Sequence, residues 1–325
     1  MAVSGNPGAT GPAVVALGGG HGLSASLAAL RRLTDRLTAV VTVADNGGSS
    51  GRIREQYDVL PPGDLRMALT ALCGDDTWGR TWAQVLQHRF AGDGDLSGHS
   101  LGNLLIAAVW QRLGDPVAGL DLVGDLLQAH GRVLPMSTVP LSLRALVIPP
   151  ESSEPVEVVG QVEVATAPGR VVDVSLLPPE PPACVEAVQA VEQADLVVLG
   201  PGSWFSSVIP HLLVPDLADA VTTTSATRLV LLNLLSATPE TEEYSAENLL
   251  EVLALYAPRL TVDVVLADAC SVPDTAELQR AADTLEAEVV LAPLASDTAA
   301  DRHDPDRLMA ALAALADHGR IPAWR

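Results

Sequence analysis

The chain has 325 residues, 40 acidic and 19 basic, for a net charge of −21. Every basic residue is arginine, which excludes Schiff-base lysine chemistry and a lysine-bearing Walker loop, and the acidic excess argues against a nucleic-acid partner. At 48% hydrophobic and 18% charged residues, the chain can fill a substantial core.

Residues 1–12, small and rich in Gly and Pro, read as a disordered N-terminal tail ahead of a single domain over 13–320. The apolar run 13–17 ends at Gly18-Gly19-Gly20, the pattern of a strand buried on both faces. A helix is predicted from Ser24 to Leu33, and a second buried strand from Leu37 to Val43, closing on the turn-rich stretch 44–51. Strand, glycine loop, helix, strand is the opening unit of a doubly wound sheet. Helices are predicted over 64–72, 81–89, 100–113 and 117–129, a helical insertion of about 64–130. Valine-rich runs at 139–147, 156–164 and 171–176, separated by Pro and Gly, predict a small antiparallel β insertion within about 132–177.

The α/β rhythm then resumes with a helix over 183–192 and a strand over 195–199 that ends at Gly200-Pro201-Gly202-Ser203. Further strands are predicted at 229–232, 262–266 and 289–291, with helices at 246–256 and 306–316. The segment Trp204–Pro215 is apolar enough for either core or interface. The fold class is therefore α/β, a doubly wound, mostly parallel sheet with a helical and a small β insertion. Cys73, Cys184 and Cys270 are odd in number and far apart, as in reduced core thiols. With no secretory segment and no apolar run near ~20 residues, a cytoplasmic protein without a membrane span is expected.

Five loops carry candidate chemistry. Gly18, Gly19, Gly20, His21, Gly22, Leu23 and Ser24 join a strand to a helix, where glycines admit backbone N–H groups to a phosphate and the helix dipole favours an anion. The third glycine of a dinucleotide fingerprint is missing, so an NAD-dependent oxidoreductase is disfavoured. Asp45, Asn46, Gly47, Gly48, Ser49, Ser50 and Arg52 follow the second strand, at the sheet edge where open α/β proteins bind ligands. Hydroxyls, glycines and an arginine suit an anion there, and Asp45 suits a ribose hydroxyl or a metal. Asp64 reads as a helix N-cap and Arg66, one turn in, as a second phosphate contact. His99, Ser100 and Asn103 open another helix, with Ser100 as its cap, and can line a pocket. Gly200, Pro201, Gly202 and Ser203 repeat the strand-to-glycine-loop logic, so that two loops from different strands would face one crevice and suit a ligand with two polar ends. Arg52 and the 18–24 loop are expected to hold phosphates.

Five strings, LGGGHGLS from Leu17, TVADNGGSSGR from Thr42, LPPGDLR from Leu60, GHSLGNL from Gly98 and VLGPGSW from Val198, resemble in sequence and order the YvcK family of gluconeogenesis factors. The resemblance implies a Rossmann-like sheet shared with CofD, the enzyme that transfers 2-phospholactate to a deazaflavin. It also implies a homodimer, here with its contact near Trp204–Pro215, and a cytoplasmic UDP-sugar binder, chiefly of UDP-N-acetylglucosamine. Such a protein acts through regulatory protein partners on cell shape, envelope precursor supply and growth on gluconeogenic carbon. The family form more often has Thr at His21 and Asp at Asn46. Loss of a carboxylate at Asn46 weakens a hard-cation site, because Mg²⁺ prefers charged oxygen ligands. The sequence specifies no cofactor beyond the UDP-sugar ligand, no metal ligand set and no catalytic residue. Mg²⁺ enters only with the alternative, a CofD-like 2-phospho-L-lactate transferase.

Overall fold

The computed structural model describes residues 11–150, 152–234, 239–241, 244–299 and 301–324. Apart from Gly11 and Pro12, the expected N-terminal tail lies outside the described residues. The chain opens with β1 (Val14–Gly18), α1 (Gly20–Leu30) and β2 (Leu37–Val41). Helices α2 (Gly48–Tyr57), α3 (Gly63–Ala71), α4 (Thr77–Gln87), α5 (Leu101–Leu113) and α6 (Pro116–Leu127) precede β3 (Arg132–Pro135). Next come β4 (Ser142–Ile148), β5 (Val156–Val159), α7 (Gln161–Thr166) and β6 (Arg170–Leu177). The remainder alternates: α8 (Val185–Glu192), β7 (Leu196–Leu199), a tight helical passage over 204–213, α9 (Pro215–Thr223), β8 (Thr227–Leu231), α10 (Ala246–Tyr256), β9 (Val264–Asp268), α11 (Thr275–Asp283), β10 (Glu288–Ala292) and α12 (Pro305–Asp317).

Among the described residues, seven strands form one sheet in the order β10-β9-β8-β7-β1-β2-β3, and every pairing is parallel. β1, β7 and β9 are buried along their whole length, which explains why they read as unbroken apolar runs. From β1 the chain winds outward through β2 to β3, then returns beside β1 as β7 and winds outward the other way. The switch between the two directions lies between β1 and β7, and helices on both sides of it leave a crevice there. A separate antiparallel sheet, β5-β4-β6, forms the β excursion. That excursion opens at Ser142, because Arg132–Pro135 pairs with β2 as the edge strand of the main sheet.

Two helices stand where the sequence predicts otherwise. α2 occupies part of the stretch read as a loop, although its sequence is rich in Gly and Ser. Burial of Ser49, Ser50 and Ile53 overrides that weak propensity. The strand expected to run to Val164 ends at Val159, and Gln161–Thr166 is α7. Asn46 holds this helix: its Oδ1 accepts the Val162 N–H at 3.1 Å and its Nδ2 donates to Glu163 Oε2 at 2.6 Å. Gln161 reaches the other way, donating to the Ser206 carbonyl at 2.9 Å, so α7 ties the loop after β2 to the passage after β7.

Within one chain the segment 204–215 is mostly core, with Leu213 partly exposed and Pro215 exposed at its end. Trp204, Phe205, Val208, Ile209 and Val214 are at most 1% exposed within one chain, so they have no surface to offer a second copy. Phe205 packs edge-on against Tyr244, with ring centroids 5.2 Å apart. Phe205→Ala should therefore cost about 3–5 kcal/mol in urea unfolding, with no change of mass in light scattering. A variant of unchanged stability that alters oligomeric state would support the interface reading instead.

Candidate functional site

The β1–β7 crevice is built by two glycine loops whose backbones touch. β1 runs into Gly19, which is extended, and Gly20 enters α1 at φ +57°, a left-handed conformation that favours glycine. At Gly22 a Cβ would lie 2.3 Å from the Pro201 carbonyl oxygen, so only glycine lets the first turn of α1 rest on the loop after β7. Asn233, just after β8, clamps that loop: its Nδ2 donates to the Gly202 carbonyl at 2.7 Å and its Oδ1 accepts the Gly202 N–H at 2.8 Å. The two loops predicted to share a crevice do so. They enclose a cavity of about 400 Å³ lined by Gly19, Gly20, His21, Gly22, Pro201, Gly202 and Ser203, and further by Asn233, Arg302 and His303.

Not all of the first string faces that space. Gly18 ends β1, and Leu23 is 1% exposed in the core, so these two form the floor. Ser24 donates to the Gly20 carbonyl at 2.9 Å and lines an adjoining cavity of about 500 Å³ with Arg66, Gln87 and Arg89. His21 borders both cavities. Burial first, then the guanidiniums of Arg302 and Arg66, hold its pKa below the usual range, so the ring is neutral at pH 7.

Behind the second cavity lies a buried polar network that joins three of the sequence strings. Ser49 Oγ is 3.1 Å from His99 Nδ1, and it accepts from Asn103 Nδ2 at 3.1 Å and from the Ser100 N–H at 3.4 Å. A hydroxyl that accepts twice donates its single proton to His99 Nδ1, which places the imidazole proton on Nε2. Burial, with Arg52 second, also keeps His99 neutral. Asn103 reaches Ser50 Oγ at 3.4 Å, and its Oδ1 accepts from Arg66 Nε at 2.9 Å, while Arg66 Nη1 donates to Gln87. Ser100 stands at the N-cap position of α5, but its hydroxyl caps nothing and is buried without a partner.

Arg66 is 4% exposed and has only amide oxygens as side-chain partners; among the described residues it forms no ion pair. Burial, then the neighbouring Arg89, pull its pKa down to about 10. Asp64 is not the N-cap of α3, a position held by Pro62. Its carboxyl is buried under the Gly20 N–H, and burial together with Asp45 pushes its pKa up to about 7. Asp45 accepts the Gly47 N–H at 2.8 Å. Among the described residues no cluster of three or more His, Cys, Asp or Glu side chains suits a metal, which leaves Asp45 and Asp64 as an acidic pair.

Asn46, Gly48, Ser49 and Arg52 line a third, wider and more open cleft of about 1120 Å³ with Arg54 and Arg89. Arg52 Nη2 donates to the Ser97 carbonyl there at 2.7 Å, and Asn46 is committed to α7. The structure thus separates Arg52 from the 18–24 loop, with Arg89 bordering both this cleft and the cavity of Arg66. Although this cleft is larger than the other two, the more enclosed crevice at the sheet's switch point, where Arg302 meets the first turn of α1, better fits a small ligand. Sequence reasoning missed Gln87, Arg89, Asn233, Arg302 and His303. Asn233 had one signal, a lone amide directly after the apolar strand β8, and the others had none.

The family profile 2-phospho-L-lactate transferase CofD matches residues 14–303. A Mycobacterium tuberculosis (strain H37Rv) protein named "Putative gluconeogenesis factor" is 54% identical over 304 residues, covering 92% of this chain and 89% of the relative. A Listeria innocua protein named "Gluconeogenesis factor" is 35% identical over 94% of this chain and 96% of its own length. A crystal structure of a UPF0052-family protein from Bacillus halodurans superposes with a TM-score of 0.82 at 32% identity, over 92% of this chain and 97% of that one.

The raised pKa of Asp64 gives a signed prediction. The carboxyl is protonated in the fold up to about pH 7 and ionised in the unfolded chain above 3.8, so its share of the stability is complete below 3.8 and is lost as pH rises to 7. Asp64→Asn should match the parent protein near pH 4 and exceed it at pH 8 by up to about 4 kcal/mol in urea unfolding. Stability curves that stay parallel from pH 4 to 8 would show that Asp64 does not titrate in this window.

Proposed function

The chain belongs to the CofD/YvcK family, and on that footing we propose that it is a nucleotide-sugar-binding regulatory protein whose ligand lies across the β1–β7 crevice. The observation that carries this reading is Arg66. A buried guanidinium hydrogen-bonded only to amides, with Asp64 and Asp45 acting on it without a direct ion pair, is costly to maintain, and an anion beside it lowers the cost. Arg302 flanks His21 from the other cavity, and the first turn of α1 beyond Gly20, whose own N–H meets Asp64, supplies backbone donors. Two cavities of about 400 and 500 Å³ meeting at His21 match a diphosphate placed centrally with a polar group on each side.

Ser49 and His99 lie close enough for a nucleophile and base, but Ser49 already serves three partners and is 4% exposed, which favours a structural role. The resemblance to gluconeogenesis factors supports UDP-N-acetylglucosamine as the ligand class. It also supports a cytoplasmic role, exerted through protein partners, in envelope precursor supply, cell shape and growth on gluconeogenic carbon.

One observation favours a second reading, a CofD-like transferase. Asp45 and Asp64 are neighbours, and Asp64 is poised near neutrality by that proximity and by burial. Two carboxylates beside a phosphate site fit Mg²⁺, which is commonly held by one or two carboxylates and the substrate's own phosphates. Asp45 and Asp64 would hold the ion, which would neutralise charge on a transferring phosphoryl group. Mg²⁺-dependent transfer of 2-phospho-L-lactate that disappears in Asp64→Asn would establish this reading over the regulatory one.

Calorimetry should give a dissociation constant for UDP-N-acetylglucosamine near the micromolar range, about −8 kcal/mol. Arg302→Ala should weaken UDP and UDP-sugar alike by roughly 10- to 100-fold, as expected for a charge-assisted contact. Arg52→Ala, in the outer cleft, should cost less than about threefold. No heat and no melting shift with several UDP-sugars would overturn the proposal.

A further inference from the structure

The two cavities that meet at His21 present different polar groups. The first, of about 400 Å³, carries one arginine, Arg302, and beside it Asp301, whose carboxylate is an acceptor for hydroxyl protons. The second, of about 500 Å³, carries two arginines, Arg66 and Arg89, and among the described residues no aspartate or glutamate lines it. Part of its wall is apolar, built by Ala25, Ala28, Met67 and Pro305. A ligand that spans both cavities therefore meets a carboxylate at one end and a pair of guanidiniums at the other.

Both arginines are held by contacts that leave donors free. The stem of Arg66 passes over Gly102, where a Cβ would lie 2.8 Å from Arg66 Cδ and 2.8 Å from the Leu86 carbonyl oxygen. Nε and Nη1 of Arg66 are spent on Asn103 and Gln87, whereas Nη2 has no hydrogen-bond partner and keeps contact with solvent. On a residue 4% exposed, that nitrogen is the one left to meet a ligand in the cavity. Arg89 stands just past α4 on a short antiparallel ladder: the Phe90 N–H donates to the His99 carbonyl at 3.0 Å and the Leu101 N–H to the His88 carbonyl at 2.9 Å. Its Nη1 donates to the Gly98 carbonyl at 2.9 Å. Among the described residues neither arginine forms an ion pair. Burial aside, the largest influence on the Arg66 guanidinium is the like charge of Arg89, with Asp64 and Asp45 acting in the opposite sense.

Two like charges on a wall without a carboxylate favour a ligand group that accepts hydrogen bonds and carries negative charge, and a planar guanidinium matches a carboxylate in shape as well as charge. A neutral sugar also brings hydroxyl protons, for which Asp301 offers a carboxylate in the first cavity and the second offers none. The hydroxyl-bearing ribose suits the first cavity and an acidic end suits the second. We propose that the second cavity receives a carboxylate carried on the sugar of the ligand, bound by Arg66 Nη2 and the Arg89 guanidinium, while the nucleoside occupies the first cavity. The apolar part of the wall then faces the carbon skeleton that bears the acid. This deepens the nucleotide-sugar reading and rests on it.

The test titrates two matched pairs calorimetrically. UDP-glucuronate is set against UDP-glucose, and UDP-N-acetylmuramate, whose carboxylate is added through a lactyl ether, against UDP-N-acetylglucosamine; UDP alone is the control for phosphate contacts. The parent protein should bind the acidic member of at least one pair about tenfold or more tightly than its neutral partner. Arg89→Gln, at an exposed position outside the buried network, should erase that preference and change UDP by less than about twofold. Arg66→Gln should reduce the preference as well, and its melting temperature is recorded because it also loses the bonds to Asn103 and Gln87. If the parent protein binds the neutral nucleotide-sugars and gains nothing from the acid in either pair, the carboxylate contact is refuted and the functional reading survives. A preference that persists in both variants, or an Arg89→Gln loss as large for UDP as for the acidic nucleotide-sugar, refutes the contact too. A parent protein that binds none of the four nucleotide-sugars would sink both proposals.

Discussion

The site depends on a backbone-to-backbone contact. The first turn of α1 lies against the loop after β7 so closely that a single methyl group at Gly22 would fall 2.3 Å from the Pro201 carbonyl oxygen. That approach is possible because β1 and β7 are hydrogen-bonded neighbours, which brings the C-terminal ends of two strands far apart in sequence to one place. The winding reverses at the same pair of strands, which leaves a crevice above them. Asn233 then fixes the second loop by clamping the backbone of Gly202 in both directions, which leaves the crevice pre-formed.

Around this contact the protein places charge with little direct compensation. Arg66 is buried among amides, Asp64 is buried beneath the Gly20 N–H and next to Asp45, and His21 stays neutral between two guanidiniums. In a low-dielectric surrounding each of these is expensive on its own. The network running His99–Ser49–Asn103–Arg66–Gln87 satisfies the polar atoms by hydrogen bonds, while Asp64 and Asp45 act on the guanidinium's charge without bonding to it. In a chain of net charge −21, arginines gathered along these neighbouring cavities stand out from a surface that on balance repels anions.

Much of this could be read from the chain alone. Apolar runs ending in glycine located β1, β2 and β7, because a parallel strand buried on both faces has no polar positions to disguise it. The five glycine- and hydroxyl-bearing strings marked the loops that line the cavities, because a backbone that must approach another backbone or a ligand tolerates few residue types. The strings did not reveal which of their residues serve each other. Asn46 proves to hold α7, Ser49 proves to be a helix residue wrapped by three partners, and Asp64 is a buried carboxyl rather than a cap. These roles depend on neighbours about 20 to 120 positions away, and local spacing carries no trace of them.

The amino-acid sequence by itself determined the alternation of strand and helix, the family strings and the exclusion of lysine chemistry, since these follow from residue type and short-range period. Tertiary structure alone decided the order of the strands, and with it the pairing of β1 with β7 and the meeting of two loops nearly 180 residues apart. It also turned Trp204–Val214 into core, because burial depends on what packs against a segment as well as on how apolar it is. Finally, it brought Arg302 and His303 to the crevice through the hold of Asp268 on backbone N–H groups. Any residue except proline presents such groups, so the sequence had no pattern with which to announce that wall.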